Sequence, residues 1–121
     1  PFAPSILEEH ADNWFNSNQK IKSSYMEKVF TIKENLKDLV RAVVHNDNSC
    51  RVQTVNKEQH EHLYNIIDEF EKISGVPMVL NTSFNLAGNP IVETIADVYN
   101  TFKNSDIDCL YFYETKQLIR K

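Results

Sequence analysis

At 121 residues the chain is long enough to bury a core, and a make-up of 41% hydrophobic and 25% charged residues excludes disordered, collagenous and low-complexity classes. A net charge of −4 provides no basic field to attract nucleic acid or an anionic membrane. No apolar run approaches the ~18 residues that span a bilayer. With no secretory pattern legible, the cytoplasm is the expected compartment.

The opening Pro1-Phe2-Ala3-Pro4 lacks a starting methionine and reads as the middle of a longer polypeptide. Its prolines predict an extended segment. Ser5 and Glu8 have the spacing of a capping box, which predicts a helix to about Phe15 burying Ile6, Leu7, Ala11, Trp14 and Phe15. The stretch from Asn16 to Gln19 ends it. Residues Tyr25 to Ile32 alternate as a strand, and Leu36, Leu39 and Val40 suggest a short helical turn. Ala42 to His45 and Cys50 to Val55 read as two strands of a hairpin, joined at Asn46-Asp47-Asn48-Ser49.

Asn56, with Gln59 at the box position, predicts the start of a long helix. Leu63, Ile66, Ile67, Phe70 and Ile73 share one face of it, and Gly75 supplies the left-handed stop. Val76 to Leu80 is a short apolar run of the kind found in covered strands. Thr94 caps a further helix, and Cys109 to Tyr113 is the last clear strand. Residues 76–113 therefore predict a right-handed βαβ crossover. The expected fold class is α/β or mixed α+β, with a mixed sheet and flanking helices in one domain over residues 1–121. Cys50 and Cys109, without CxxC spacing, read as reduced, partly buried packing residues.

The most unusual stretch for chemistry is Asn81-Thr82-Ser83-Phe84-Asn85, at the end of an expected strand. Its small hydrogen-bonding groups suit a phosphate or a planar carbamoyl group. They equally suit a turn that bonds its own backbone, which from pattern alone is the commoner case. Arg51 alternates with Val52, so Arg51 and Gln53 share a strand face, where an arginine fork can meet a phosphate or can simply face solvent. His45 precedes the turn and can bond an anion or tie the turn down. His10, His60 and His62 have no convincing ligand spacing, so no metal site is expected in this chain. The carboxylates lie mostly on polar helix faces, and no nucleophile elbow, P-loop or dinucleotide fingerprint is present.

Six strings occur in order: Pro1-Phe2-Ala3-Pro4-Ser5, Val43-Val44-His45, Arg51-Val52-Gln53-Thr54-Val55, Gly75-Val76-Pro77, Leu80-Asn81-Thr82-Ser83-Phe84-Asn85 and Pro90-Ile91-Val92. Together they resemble the C-terminal region of O-carbamoyltransferases of the nodulation and antibiotic-tailoring type. The resemblance implies a YrdC-like twisted mixed sheet, incomplete at its N-terminal side, in an enzyme whose larger ATPase-like N-terminal domain carries the metal. It implies that carbamoyl phosphate and ATP yield carbamoyl adenylate before transfer to an acceptor hydroxyl, and that this piece alone is inactive. On that resemblance Arg51, Asn81 and Ser83 bind carbamoyl phosphate, with His45, Thr82 and Asn85 in support. Partners are then carbamoyl phosphate, ATP and the N-terminal domain, without nucleic acid or membrane. The family pattern also has an arginine before Pro1 and a basic segment upstream, and reads Thr-Pro-Glu-Asp where this chain has Glu93-Thr94-Ile95-Ala96-Asp97. Two alternatives stand beside it: a YrdC-like nucleotide- or double-stranded-RNA-associated domain acting in threonylcarbamoylation, and a non-catalytic YrdC-like interaction domain on the same fold.

Overall fold

Five consecutive buried residues, Ala3 to Leu7, form a strand rather than the start of a helix. The computed structural model describes residues 2–121, so Pro1 lies outside the described residues. Strand β1 (Ala3–Leu7) is followed by a 3-10 turn, Glu8–His10, and a single helical turn, α1 (Ala11–Trp14). The expected Ser5 cap is absent because Ser5 sits inside β1 with 1% of its surface exposed. The five apolar side chains assigned to that helix are nonetheless all buried.

Strands β2 (Phe15–Asn16), β3 (Lys28–Ile32), β4 (Ser49–Val55) and β5 (Met78–Asn81) complete a five-stranded mixed sheet in the order β2-β3-β4-β1-β5. β1 runs parallel to β4, with Ser5 beside Gln53, and antiparallel to β5, with Ala3 opposite Asn81. The parallel ladder starts at Ser5, past Pro4, so the missing amide of Pro4 falls outside that ladder, while across β5 Pro4 stands opposite Leu80.

The expected hairpin between residues 42–45 and 50–55 does not form. Residues Arg41–Val43 are a 3-10 turn, and β4 pairs with β3 and β1 instead. The reverse turn itself is present: Asn48 N donates to His45 O at 2.9 Å, and Asn48 takes a φ of 64°.

The long helix, α2 (Glu61–Ser74), starts later than its sequence signal. Asn56 Oδ1 accepts from Gln59 N at 3.0 Å and caps a turn just before it. Gly75, at φ 74°, terminates the helix as expected. The buried stripe is narrower than the periodicity suggests. Ile67, with Leu63 and Tyr64, packs on Leu7, Val55 and Val79, whereas Ile66, Phe70 and Ile73 are exposed. The other sheet face carries the main core: Ile6, Ala11, Trp14, Phe15, Ile21, Ile32, Val43, Cys50, Val52 and Met78. Burial there, with the nearby Asp47 charge, pushes the Cys50 thiol up to about 11, so it stays protonated at neutral pH. Cys109 is exposed, contrary to its expected packing role.

The chain divides into two compact units, Pro1–Thr82 and Ser83–Lys121. In the second, Thr94 opens α3 (Ile95–Lys103) with a capping box: Asp97 N donates to Thr94 Oγ1 at 3.1 Å, and Thr94 N to Asp97 Oδ2 at 3.0 Å. Hydrogen bonds to Asp97 Oδ2 from the Thr94 hydroxyl, at 2.7 Å, and then from the Thr94 N–H hold the Asp97 carboxyl below its ordinary range. Strands β6 (Cys109–Phe112) and β7 (Gln117–Arg120) pair antiparallel as a separate two-stranded sheet. The expected βαβ crossover is therefore not formed, since β5 and β6 belong to different sheets.

Candidate functional site

Alternation along β4 places Cys50, Val52 and Thr54 toward one side and Ser49, Arg51 and Gln53 toward the other. Register does the rest. Val29 lies opposite Arg51, Ser5 beside Gln53, and Asn81 opposite Ala3. One sheet face therefore carries Val29, Arg51, Gln53, Ala3, Ser5 and Asn81, at the N-terminal ends of the parallel pair β1 and β4. Farther along the same face, α2 covers Leu7, Val55 and Val79. Beyond it the polar half is open at Arg51, which is exposed, while Gln53 and Asn81 are half-buried and Ser5 is buried.

A cavity of about 410 Å³ opens on this face, lined by Phe2, Ala3, Val29, His45, Ser49 and Arg51. Its size suits a small ligand. Arg51 is exposed there, and its guanidinium makes no hydrogen bond or ion pair among the described residues. His45 is placed by the reverse turn, through His45 N to Ser49 O at 2.9 Å. The turn is held by Asp47 Oδ1, which accepts from Ser49 N at 3.0 Å. Hydrogen bonds from the Ser49 side chain and backbone keep the Asp47 carboxyl below its ordinary range. Arg51 and His45, expected from sequence on separate grounds, thus share one cavity.

Asn81 closes the strand row through a side-chain network. Its Nδ2 donates to Gln53 Oε1 at 2.8 Å and to Ser5 Oγ at 3.2 Å. Ser5 Oγ in turn donates to Gln53 Oε1 at 2.5 Å, and Gln53 Nε2 donates to the carbonyl of Ser24 at 3.3 Å. Two strand spacings separate Arg51 from Asn81, about 10 Å between backbones, which a long arginine side chain can bridge around a small anion.

Thr82 is exposed at the end of the first unit, while Ser83 and Asn85 belong to the second. There Ser83 Oγ donates to Asn85 Oδ1 at 2.5 Å, and Asn85 Nδ2 bonds the carbonyls of Leu86 at 3.1 Å and Asn89 at 2.9 Å. Asn85 thus holds its own loop together, whereas the Ser83 hydroxyl keeps acceptor capacity. Sequence reasoning missed Ser5, hidden by its cap-like spacing, and Phe2. It placed Gln53 on the Arg51 face without giving it a role.

Among the described residues, no cluster of three or more His, Cys, Asp or Glu side chains is arranged to hold a metal ion. None of the described helices is long and apolar enough to cross a membrane.

Comparison with known proteins adds an independent line. Residues 1–121 match the family model described as carbamoyltransferase C-terminus. The chain is 40% identical over 111 residues to nodulation protein NolNO of Sinorhizobium fredii, covering 91% of this chain and 16% of that protein. Nodulation protein NolO of Bradyrhizobium diazoefficiens is 35% identical, with 91% of this chain and 20% of that protein covered. An uncharacterized protein of Methanocaldococcus jannaschii is 39% identical, with 91% and 21% covered. The chain thus spans a fifth or less of the length of the two nodulation relatives, and about a fifth of the archaeal one.

Proposed function

The chain belongs to the carbamoyltransferase C-terminus family, and on that premise we propose that its open sheet face binds carbamoyl phosphate within a longer carbamoyltransferase. The observation that carries the reading is the unpaired Arg51 guanidinium on a small cavity shared with His45. An arginine fork matches phosphoryl oxygens in shape and charge, and it engages them without first giving up a carboxylate partner. Asn81 stands at the other end of the face, within reach of the carbamoyl group. Their work is positioning and electrostatic stabilisation of a leaving phosphate.

One guanidinium and one imidazole match a single phosphoryl group and do not fit the triphosphate of ATP. We therefore assign ATP, any metal and the acceptor hydroxyl to the remainder of the polypeptide, including the ATPase-like N-terminal domain. ATP use favours the cytoplasm as the compartment. Similarity to rhizobial and archaeal proteins alike means that the acceptor is not inherited from the word nodulation.

The test compares the 121-residue chain with the complete polypeptide in carbamoyl transfer to a hydroxyl acceptor. Turnover is expected from the complete polypeptide only, with weak, millimolar-class carbamoyl phosphate binding by the chain alone. Equal turnover by the chain alone would overturn this division of labour.

A further inference from the structure

The hydrogen-bond directions around Asn81 are fixed by a backbone group. A carbonyl oxygen can only accept, so the Ser24 carbonyl takes its bond from the amide nitrogen of Gln53, at 3.3 Å. Gln53 Oε1 must then face away from Ser24, where it accepts from Ser5 Oγ at 2.5 Å and from Asn81 Nδ2 at 2.8 Å. Asn81 Nδ2 also reaches Ser5 Oγ at 3.2 Å, so both its hydrogens have acceptors. The atom left over is Asn81 Oδ1, which accepts no hydrogen bond among the described residues.

Ser24 itself is held in place. Ser23 N donates to Thr54 Oγ1 and Thr54 N donates to Ser23 O, each at 2.9 Å, with both residues fully buried. A turn follows, in which Met26, at φ 57°, donates its amide to Ser23 O at 3.4 Å. Glu27 Oε2 accepts from Tyr25 N at 2.8 Å, and such backbone bonds hold its carboxyl below the ordinary range. The chain of constraint thus runs from the Ser23–Thr54 pair to Ser24, to Gln53, to Asn81.

We infer that Gln53 and Ser5 are positioning residues that lock the Asn81 carboxamide with its oxygen outward, so that the site selects a ligand end bearing an N–H donor. The inference rests on the proposed carbamoyl phosphate reading and deepens it. Asn81 Oδ1 then reads the amino group of the carbamoyl moiety, while Arg51 reads the phosphoryl group. Acetyl phosphate, with a methyl in place of that amino group, satisfies Arg51 and leaves Asn81 Oδ1 unpaired. Sites built to hydrogen-bond a ligand reject analogues that lack the partner.

The test measures dissociation constants of carbamoyl phosphate and acetyl phosphate for the complete polypeptide. Wild type should favour carbamoyl phosphate by about tenfold or more, the worth of one good neutral hydrogen bond. Gln53→Leu should reduce that preference to within about twofold, leaving acetyl phosphate affinity nearly unchanged. Arg51→Lys should weaken both ligands alike. Should Gln53→Leu fail to bind either ligand, Ser5→Ala carries the same test, with an expected loss of at least about threefold in preference. Equal wild-type affinity for the two ligands, or a preference untouched by the folded variant, overturns the inference while leaving the carbamoyl phosphate reading intact. No binding of carbamoyl phosphate by wild type overturns the reading itself.

Discussion

Arg51→Ala in the complete polypeptide is expected to lower kcat/KM for carbamoyl phosphate by about 100-fold, since a hydrogen bond to a charged group contributes about 1.5–3 kcal/mol. The guanidinium has no partner among the described residues, so its removal takes away a ligand contact and leaves no orphaned carboxylate behind. Its Cβ is anchored on β4 between the buried Cys50 and Val52. The backbone therefore has little reason to move, and thermal stability should be nearly unchanged. Arg51→Lys keeps the charge and loses the fork, which predicts an intermediate loss of about tenfold. Steady-state kinetics with varied carbamoyl phosphate reads both effects. A loss below about threefold for Arg51→Ala would place the phosphate elsewhere.

The largest effect on stability is expected at Phe15. It is 1% exposed in β2 and belongs to the cluster that includes Ile6, Trp14, Ile32, Cys50 and Val52. Phe15→Ala removes a large buried ring and leaves a cavity, which costs about 3–5 kcal/mol. Whole domains have about 5–15 kcal/mol in hand, so this variant should be on the edge of unfolding. The consequence reaches the site. Ile6, Cys50 and Val52 are the sequence neighbours of Ser5, Arg51 and Gln53, and the core that fixes one set fixes the register of the other. Urea unfolding of the chain checks the prediction, and a change below about 1 kcal/mol would mean that the cluster is not the core described.

Local signals were legible where a single turn of chain decides the structure. Gly75 as a left-handed stop, the Thr94 cap and the turn expected at residues 46–49, which closes one residue earlier at His45, all follow from short-range chemistry. Pairing partners were not legible. Ser5 and Glu8 have cap spacing, and Pro4 argues against a central strand. Yet the run Ala3–Leu7 is covered on both faces by distant segments, and short apolar runs do not distinguish strand from helix by periodicity. The hairpin reading failed similarly, because β4 takes its neighbours from residues about 20 and about 48 positions away rather than across the adjacent turn. In the site, the alternation of Arg51 and Gln53 was visible, and the family pattern brought out Asn81. The Ser5–Gln53–Asn81 network depends on the register of three strands and has no signature along the chain.

The central claim is most directly tested by a crystal structure of the complete polypeptide with bound carbamoyl phosphate. The account predicts the phosphoryl group within hydrogen-bonding distance of the Arg51 guanidinium, beside His45, with the ligand nitrogen directed at Asn81 Oδ1. Carbamoyl phosphate bound at another surface, with the Arg51 face empty, would contradict it.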